Sequence, residues 1–398
     1  MDTREVVVVG AGPVGALTAL GLAQRGHEVL VLEANPDVVP APRAIVYYWH
    51  VLDGLDRLGL LDDIDACGFR NTAFRQRVLR TGLEAVIPLE PIRAVTSRPW
   101  NVHLGQDEVV RIALAHLARH PGVQVEFGAR VTAARTDETG AVLTVDSDGG
   151  ERLVRGQWVV AADGARSTVR GALGIGFEGM TWPDRFVATD IRFPFAELGG
   201  LGNANMLLDP TDGCVIARID QSGRWRWTWG EPADLPESTV TERLPGRLAA
   251  LGFGAAPYEL LAVTPYRMHQ RMADRMRQDR VLLIGDAAHA TNPTGGLGLT
   301  SGLYDLFALV DPLSAVLKGE DTRVLDRWAE ERATIFRVHA SPMASRSKHL
   351  VYDEKDFSTL ESAVRTAADQ SDPTAVLDRL TGMTVLRTSL PRHHAELL

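Results

Sequence analysis

The chain has 398 residues, 45% of them hydrophobic and 23% charged, which excludes a wholly disordered protein and suits two domains or one large one. Its 42 basic and 51 acidic residues leave a formal charge of −9, the wrong sign for a general nucleic-acid binder. Cys67 and Cys214 are too few for a disulfide framework or a thiolate metal site and fit a reducing cytoplasm, and no signal peptide or apolar run near the roughly 18–20 residues of a membrane span occurs.

Residues 6–9 are four valines, expected as a buried parallel strand. Gly10-Ala11-Gly12-Pro13-Val14-Gly15 follows at once in the pattern G-x-G-x-x-G. Residues 16–25 read as a helix that Gly26 ends, residues 27–32 as a second strand, and Glu33 closes the unit 23 residues after Gly10. Each piece has a job. Gly10 permits the tight turn, Gly12 leaves room for a pyrophosphate, and Gly15 lets helix and strand pack closely. The helix N-terminus turns free N–H groups and a positive dipole end toward phosphates, and Glu33 can accept both hydroxyls of an adenosine ribose. The unit predicts a bound dinucleotide without distinguishing FAD from NAD.

Arg43 follows Pro42 and leads into Ile45, Val46, Tyr47 and Tyr48. Further on comes Gly105-Gln106-Asp107-Glu108. Residues 158–162 read as a strand leading to Asp163-Gly164-Ala165-Arg166-Ser167 and then Arg170. Between 174 and 278 the pattern changes to strands and turns, with strands expected at 186–193, 205–208, 214–219 and 224–229 in an antiparallel sheet. Trp225, Trp227 and Trp229 alternate and so share a face, either packed on helices or lining an aromatic pocket, while Arg224 and Arg226 face the other way. Residues 281–284 form another strand ending in Gly285-Asp286-Ala287-Ala288-His289. Pro293, Gly295-Gly296-Leu297-Gly298-Leu299 and a helix over 300–309 come next. After about residue 345 the chain reads as helices packing on the cofactor domain, with His393 and His394 in an exposed tail.

The fingerprint at Gly10, the Asp-Gly motif at Asp163 and the Gly-Asp motif at Asp286 resemble, in order and spacing, the single-component flavoprotein aromatic hydroxylases, the para-hydroxybenzoate hydroxylase family. The match runs from about residue 5 to 340. Two departures stand out: Thr300 where the family usually has Asn, and Leu297 where it often has Gln. The resemblance implies an α/β fold with a Rossmann-like FAD-binding domain (1–70, 100–175 and 279–345), a β-sheet substrate domain (71–99 and 176–278) and a C-terminal helical segment (346–398). It implies FAD as the bound cofactor and NAD(P)H as a transient reductant. Gly10, Gly12, Pro13, Val14, Gly15, Glu33, Arg43, Gln106, Asp163, Asp286, Pro293, Gly295, Gly298 and Leu299 are its cofactor-binding candidates. Arg43 suits the pyrophosphate, because a guanidinium fork matches phosphate oxygens. Asp286 suits the ribityl hydroxyls or, more plainly, a turn cap. The 295–299 backbone suits the flavin's pyrimidine edge. Arg166 and Arg170 stand near the pyrophosphate or in solvent.

Tyr47, Tyr48, Trp225 and Trp227 are the substrate-pocket candidates. His50, His103, His269 and His289 each suggest a base, and none is singled out as catalytic. No His/Cys/acid cluster has metal-ligand spacing. The function implied is monooxygenation: NAD(P)H reduces the flavin, O2 adds at flavin C4a, and the hydroperoxide hydroxylates a phenolic or N-heteroaromatic ring. The same motifs serve epoxidation, Baeyer–Villiger insertion, oxidation of a polyketide or quinone, or a flavoprotein that holds a ligand without turnover. The Asp163 and Asp286 motifs argue against a nicotinamide dehydrogenase, and Trp227-Thr228-Trp229-Gly230 departs from the halogenase motif. The expected partners are a small aromatic substrate and O2, with no nucleic acid or membrane, in a monomer or homodimer.

Overall fold

The structure, a computed structural model, describes residues 2–41, 43–254 and 256–387, so His393 and His394 lie outside the described residues. Strand Asp2–Val9 is the centre of the first sheet. It pairs in parallel with Val29–Leu32 on one side and Gly150–Ala161 on the other. Val123–Glu126 and Val281–Leu283 extend the parallel core at its two edges. Val6, Val7 and Val8 are fully buried in a core shared with helix Pro13–Ala23 and with the antiparallel strands Arg130–Asp137 and Gly140–Ser147, the covered setting in which continuous apolar strands occur. Helix Pro13–Ala23 starts at Pro13 rather than at residue 16, since proline's missing N–H costs nothing in a first turn. Gly26, at φ +84°, ends the turn after it.

The second sheet runs in the order His289–Ala290, Glu259–Ala273, Phe177–Arg192, Arg224–Pro232, Cys214–Arg218, Ala204–Leu208, Ala73–Val78, Glu84–Pro88. It is antiparallel apart from one parallel pairing, Ala204–Leu208 with Ala73–Val78. Helix Leu297–Leu317 then returns to the first sheet, and Arg323–Ile335 packs beside it. Helix Ser341–Lys348 is flanked by two π-helical turns, Phe336–Ala340 and His349–Asp353.

The last helices correct one expectation. Phe357–Ala368 and Pro373–Thr381 turn Leu360, Val364, Val376 and Leu380 onto Val78, Ile87, Leu89 and Ile92. They cover the edge of the second sheet rather than the cofactor domain, because that edge leaves an apolar face to be buried.

Candidate cofactor and substrate site

Three chain turns meet at the carboxyl ends of the central parallel strands, the position where open α/β sheets bind ligands. In the first, Gly10 has φ +100°, and a Cβ there would lie 2.5 Å from the Ala162 carbonyl oxygen. A Cβ on Gly15 would lie 2.0 Å from the Gly10 oxygen. A Cβ on Gly12 would meet nothing within 4 Å. Two glycines are therefore needed for packing, and the third faces open space at the head of the helix. Glu33 braces this turn: its carboxylate accepts the Ala11 N–H at 2.7 Å and the Asn35 N–H at 2.9 Å.

In the second turn, Asp163 accepts the Val169 N–H at 3.1 Å, and its other oxygen is buried without a partner. Burial raises its pKa against hydrogen bonds from Ser167 and Val169. Arg170 is not a solvated arginine. At 8% exposure it donates to the carbonyls of Ala287 and Ala165, both at 2.9 Å, and lies 3.8 Å over the Phe177 ring. It ties the Asp163 motif to the third turn, while Arg166 is exposed.

In the third turn the Asp286 side chain is open to solvent at the end of strand Val281–Leu283. Surrounding protein still raises its pKa, with the charges of His289 and Arg43 opposing. A carboxylate that is both enclosed and reachable sits on the floor of a cleft. Beneath it is a network the sequence reading missed. Asp305 accepts the Gly285 N–H at 3.0 Å, meets His289 Nε2 at 2.7 Å and accepts Arg332 Nε–H at 3.0 Å. All three side chains are essentially fully buried. Burial alone would raise the Asp305 pKa, but His289 and Arg332 hold it below the usual carboxylate value. The signal was present in the sequence, since Asp305 interrupts an apolar helical run and so calls for a buried partner.

The loop at 291–299 closes the cleft. Pro293 is exposed, Leu299 is half-buried, and a Cβ on Gly298 would find only Thr291, at 3.9 Å. Thr300 donates its hydroxyl to the Gly296 carbonyl at 2.9 Å and so anchors the loop to its helix. Tyr48 donates to the Gly295 carbonyl at 2.8 Å, and burial pushes its own pKa up to about 12, which keeps the donor in place. Gln106 holds the same segment through Ala44, accepting its N–H at 3.3 Å and donating its own backbone N–H to the Ala44 carbonyl at 2.9 Å. Arg43 is exposed, and its carbonyl accepts Arg226 Nη1–H at 2.6 Å.

Tyr47 and the tryptophans fall elsewhere. Tyr47 is buried in the core of the first domain. Trp225 and Trp227 do share a face with Trp229, and that face packs on helix Val240–Ala250 through Val240, Leu244 and Leu248. The strand's period-2 alternation turns them away from the cleft, so the structure corrects their candidacy as pocket residues. The opposite face carries Arg226, paired with Asp190 at 2.7 Å, and then Phe186, Thr228 and Tyr266. Phe186 lies 4.4 Å from Tyr352 and 6.3 Å from Tyr266, centroid to centroid. The Tyr352 hydroxyl donates to the Thr228 carbonyl at 3.1 Å, whereas that of Tyr266 makes no hydrogen bond among the described residues. Lys348, buried and paired with Asp353 at 2.6 Å, anchors the turn that carries Tyr352. Phe186, Tyr266 and Tyr352 are brought together from three distant stretches, and periodicity alone did not connect them.

Of the four histidines, two are locked neutral. His50 stacks between Tyr48 and Tyr304, and burial, backed by the Arg387 charge, lowers its pKa to about 3. Burial lowers His103 to about 4, against its hydrogen bond to the Arg218 carbonyl. His269 is lowered by burial and by Arg271, Arg267 and Arg166, so those arginines form one positive cluster beside the Asp163 motif. His289 belongs to the Asp305 network. Among the described residues no group of His, Cys, Asp and Glu has the makings of a metal site, and no helix is long and apolar enough to cross a membrane.

Residues 3–339 match the family described as an FAD binding domain. The 6-hydroxy-3-succinoylpyridine 3-monooxygenase HspB of Pseudomonas putida (strain DSM 28022 / S16) is 42% identical over 354 residues, 88% of this chain and 90% of that one. The chain belongs to the FAD-dependent aromatic hydroxylases. The para-nitrophenol 4-monooxygenase of Pseudomonas sp. (strain WBC-3) is 41% identical over 350 residues, 87% of each chain. The crystal structure of p-nitrophenol 4-monooxygenase PnpA from Pseudomonas putida DLL-E4 superposes with a TM-score of 0.93 at 37% identity, covering 98% of this hydroxylase and all of that chain.

FAD is the cofactor of this hydroxylase, and the cleft fits it. The space before Gly12 is empty of side chains, and the Asp286 carboxylate is reachable. Asp163 Oδ1 and the hydroxyls of Thr291 and Thr294 are buried around the cleft without protein partners. Buried polar groups left unpaired by the protein are what a bound polar ligand satisfies.

Proposed function

We propose that this FAD-dependent aromatic monooxygenase places oxygen on the ring carbon para to a phenolic or pyridine hydroxyl, where that carbon already carries a substituent, and so expels the substituent. The observation that carries the reading is positional. One relative is named for oxygenation at carbon 4 of para-nitrophenol, the other for carbon 3 of 6-hydroxy-3-succinoylpyridine. Both carbons are substituted, and both stand para to the hydroxyl. The aromatic cluster of Phe186, Tyr266 and Tyr352 supports it, because an aromatic surface packs a flat ring and the unpartnered Tyr266 hydroxyl offers a hydrogen bond to a ring oxygen.

Within this reading, Gly10, Gly12, Pro13, Val14, Gly15 and Arg43 hold the pyrophosphate, Glu33 the ribose and Asp286 the ribityl chain. Pro293, Gly295, Gly298 and Leu299 border the isoalloxazine, with Tyr48 and Gln106 fixing the segment beside them. Asp163 braces the turn under the pyrophosphate. The cluster of Arg166, Arg267 and Arg271 attracts the phosphates of NAD(P)H as it arrives. Bound FAD supplies acceptance of hydride from NAD(P)H and activation of O2; the protein orients the ring and excludes water.

For a nitro substituent the balance is nitrophenol, O2, NAD(P)H and a proton giving benzoquinone, nitrous acid, water and NAD(P)+. The test uses para-nitrophenol under oxygen-18. Expected are one nitrite per NAD(P)H where benzoquinone accumulates, or one per two NAD(P)H where a second equivalent reduces the quinone to hydroquinone, with one labelled oxygen in either product. A nitrocatechol formed without nitrite would place the oxygen on an unsubstituted carbon and overturn the reading.

A further inference from the structure

One side chain joins three stretches of chain around the cleft. Gln270 lies on strand Glu259–Ala273, four residues beyond Tyr266 and on the same face. Its Nε2 is 2.9 Å from the Ser341 carbonyl, 2.6 Å from the Ser341 hydroxyl and 2.8 Å from the Ser345 hydroxyl. Its Oε1 accepts Asn292 Nδ2–H at 3.2 Å, and Asn292 in turn accepts the Thr294 N–H at 3.0 Å. Asn292 and Thr294 are buried at the start of the 291–299 loop. Ser341 and Ser345 lie on helix Ser341–Lys348, whose next turn carries Tyr352 onto Phe186. The loop and helix also approach directly, since a Cβ on Gly295 would lie 3.4 Å from the Ser347 hydroxyl.

An apolar contact at this point would hold the elements together without fixing their register. A satisfied polar network selects one arrangement, because each alternative leaves a buried donor or acceptor unpaired. The π-helical turns at both ends of Ser341–Lys348 are widened turns of the kind found at functional sites. We propose that Gln270 is a positioning residue for oxygenation: it clasps the flavin-side loop to the helix bearing Tyr352 and so fixes the distance between isoalloxazine and substrate ring. This rests on the reading of the 293–299 loop as the neighbour of the flavin. Gln270 acts through the serines and the asparagine that it binds.

The test compares the wild-type holoenzyme with Gln270→Leu and Asn292→Asp. The second keeps an oxygen that accepts the Thr294 N–H and sets a carboxylate oxygen, with its charge, where the donor to Gln270 stood, so it breaks the clasp from its other end even where Gln270→Leu folds poorly. Expected in both are amide hydrogen exchange in peptides covering 291–296 that is faster by about tenfold, an open state some 1.4 kcal/mol easier to reach, and unchanged exchange in strand Asp2–Val9. Flavin absorption should shift, and with para-nitrophenol the peroxide released per NAD(P)H should rise by about tenfold, inside the roughly hundredfold that a misplacement near 1 Å can cost. Unchanged exchange in the loop would overturn the clasp. Faster exchange with unaltered absorption and coupling would overturn its positioning role. Gly298→Ala separates the premise: if this added methyl also leaves the flavin spectrum unmoved, the loop is not the flavin's neighbour, and the failure lies there rather than in Gln270.

Discussion

The glycines of the fingerprint divide their labour in a way that one pair of substitutions resolves. Gly12 has φ −66° and ψ 176°, a conformation any residue adopts, and an added Cβ meets no protein atom within 4 Å. Gly12→Ala should therefore leave the apoprotein as stable as wild type, or more so by about 0.4–1 kcal/mol through a stiffer unfolded chain. Its methyl instead occupies the approach of the pyrophosphate. Losing one charge-assisted hydrogen bond there, about 1.5–3 kcal/mol, weakens FAD binding by about 10- to 140-fold. Gly15→Ala is the reverse case. Its Cβ would stand 2.0 Å from the Gly10 carbonyl oxygen and 3.2 Å from Ala162 Cβ, so helix and strand must part. That overpacking costs about 1–3 kcal/mol in the apoprotein, before any cofactor is added. Urea unfolding of the apoproteins reads the first quantity, and FAD titration by flavin fluorescence reads the second. If Gly12→Ala lowers the urea midpoint as far as Gly15→Ala while FAD affinity stays at the wild-type value, the space before Gly12 is not the phosphate site.

Asp286→Ala should cost about 1.5–3 kcal/mol of FAD affinity and little apoprotein stability, because the carboxylate faces the cleft; unchanged titration would reduce Asp286 to a turn residue. Asp305→Asn should do the opposite, lowering apoprotein stability by about 3–5 kcal/mol, since it leaves the Arg332 charge buried without its counter-charge; an unmoved urea midpoint would refute the network. Stability should also fall with acid. The folded-state pKa values of His50 and His103, about 3 and about 4, lie below the ordinary value near 6.5, so the unfolded chain binds the protons. Their contribution is complete above about pH 6.5 and is lost as pH falls, at up to about 1.4 kcal/mol per pH unit for each histidine. Urea midpoints between about pH 7 and about pH 5 should show this slope, and His103→Gln should reduce it; a flat wild-type profile would refute it.

The sequence by itself determined the parts of this protein whose physics is local. Four valines, a glycine turn, a helix and a closing Glu33 specify a dinucleotide unit because each element answers to its immediate neighbours. The alternation of Trp225, Trp227 and Trp229 likewise established a shared face. It did not establish which way that face looks, because helix Val240–Ala250 decides it from outside the strand. The same limit hid Asp305 from Arg332, Gln270 from Ser341, and Phe186 from Tyr266 and Tyr352. Those partners stand on separate elements, and their pairing depends on sheet register and on how helices cross the sheets. Tertiary structure alone decided the aromatic cluster of Phe186, Tyr266 and Tyr352, because its members come from stretches of chain that share no period and meet only when the second sheet has formed and the helices after it have packed back.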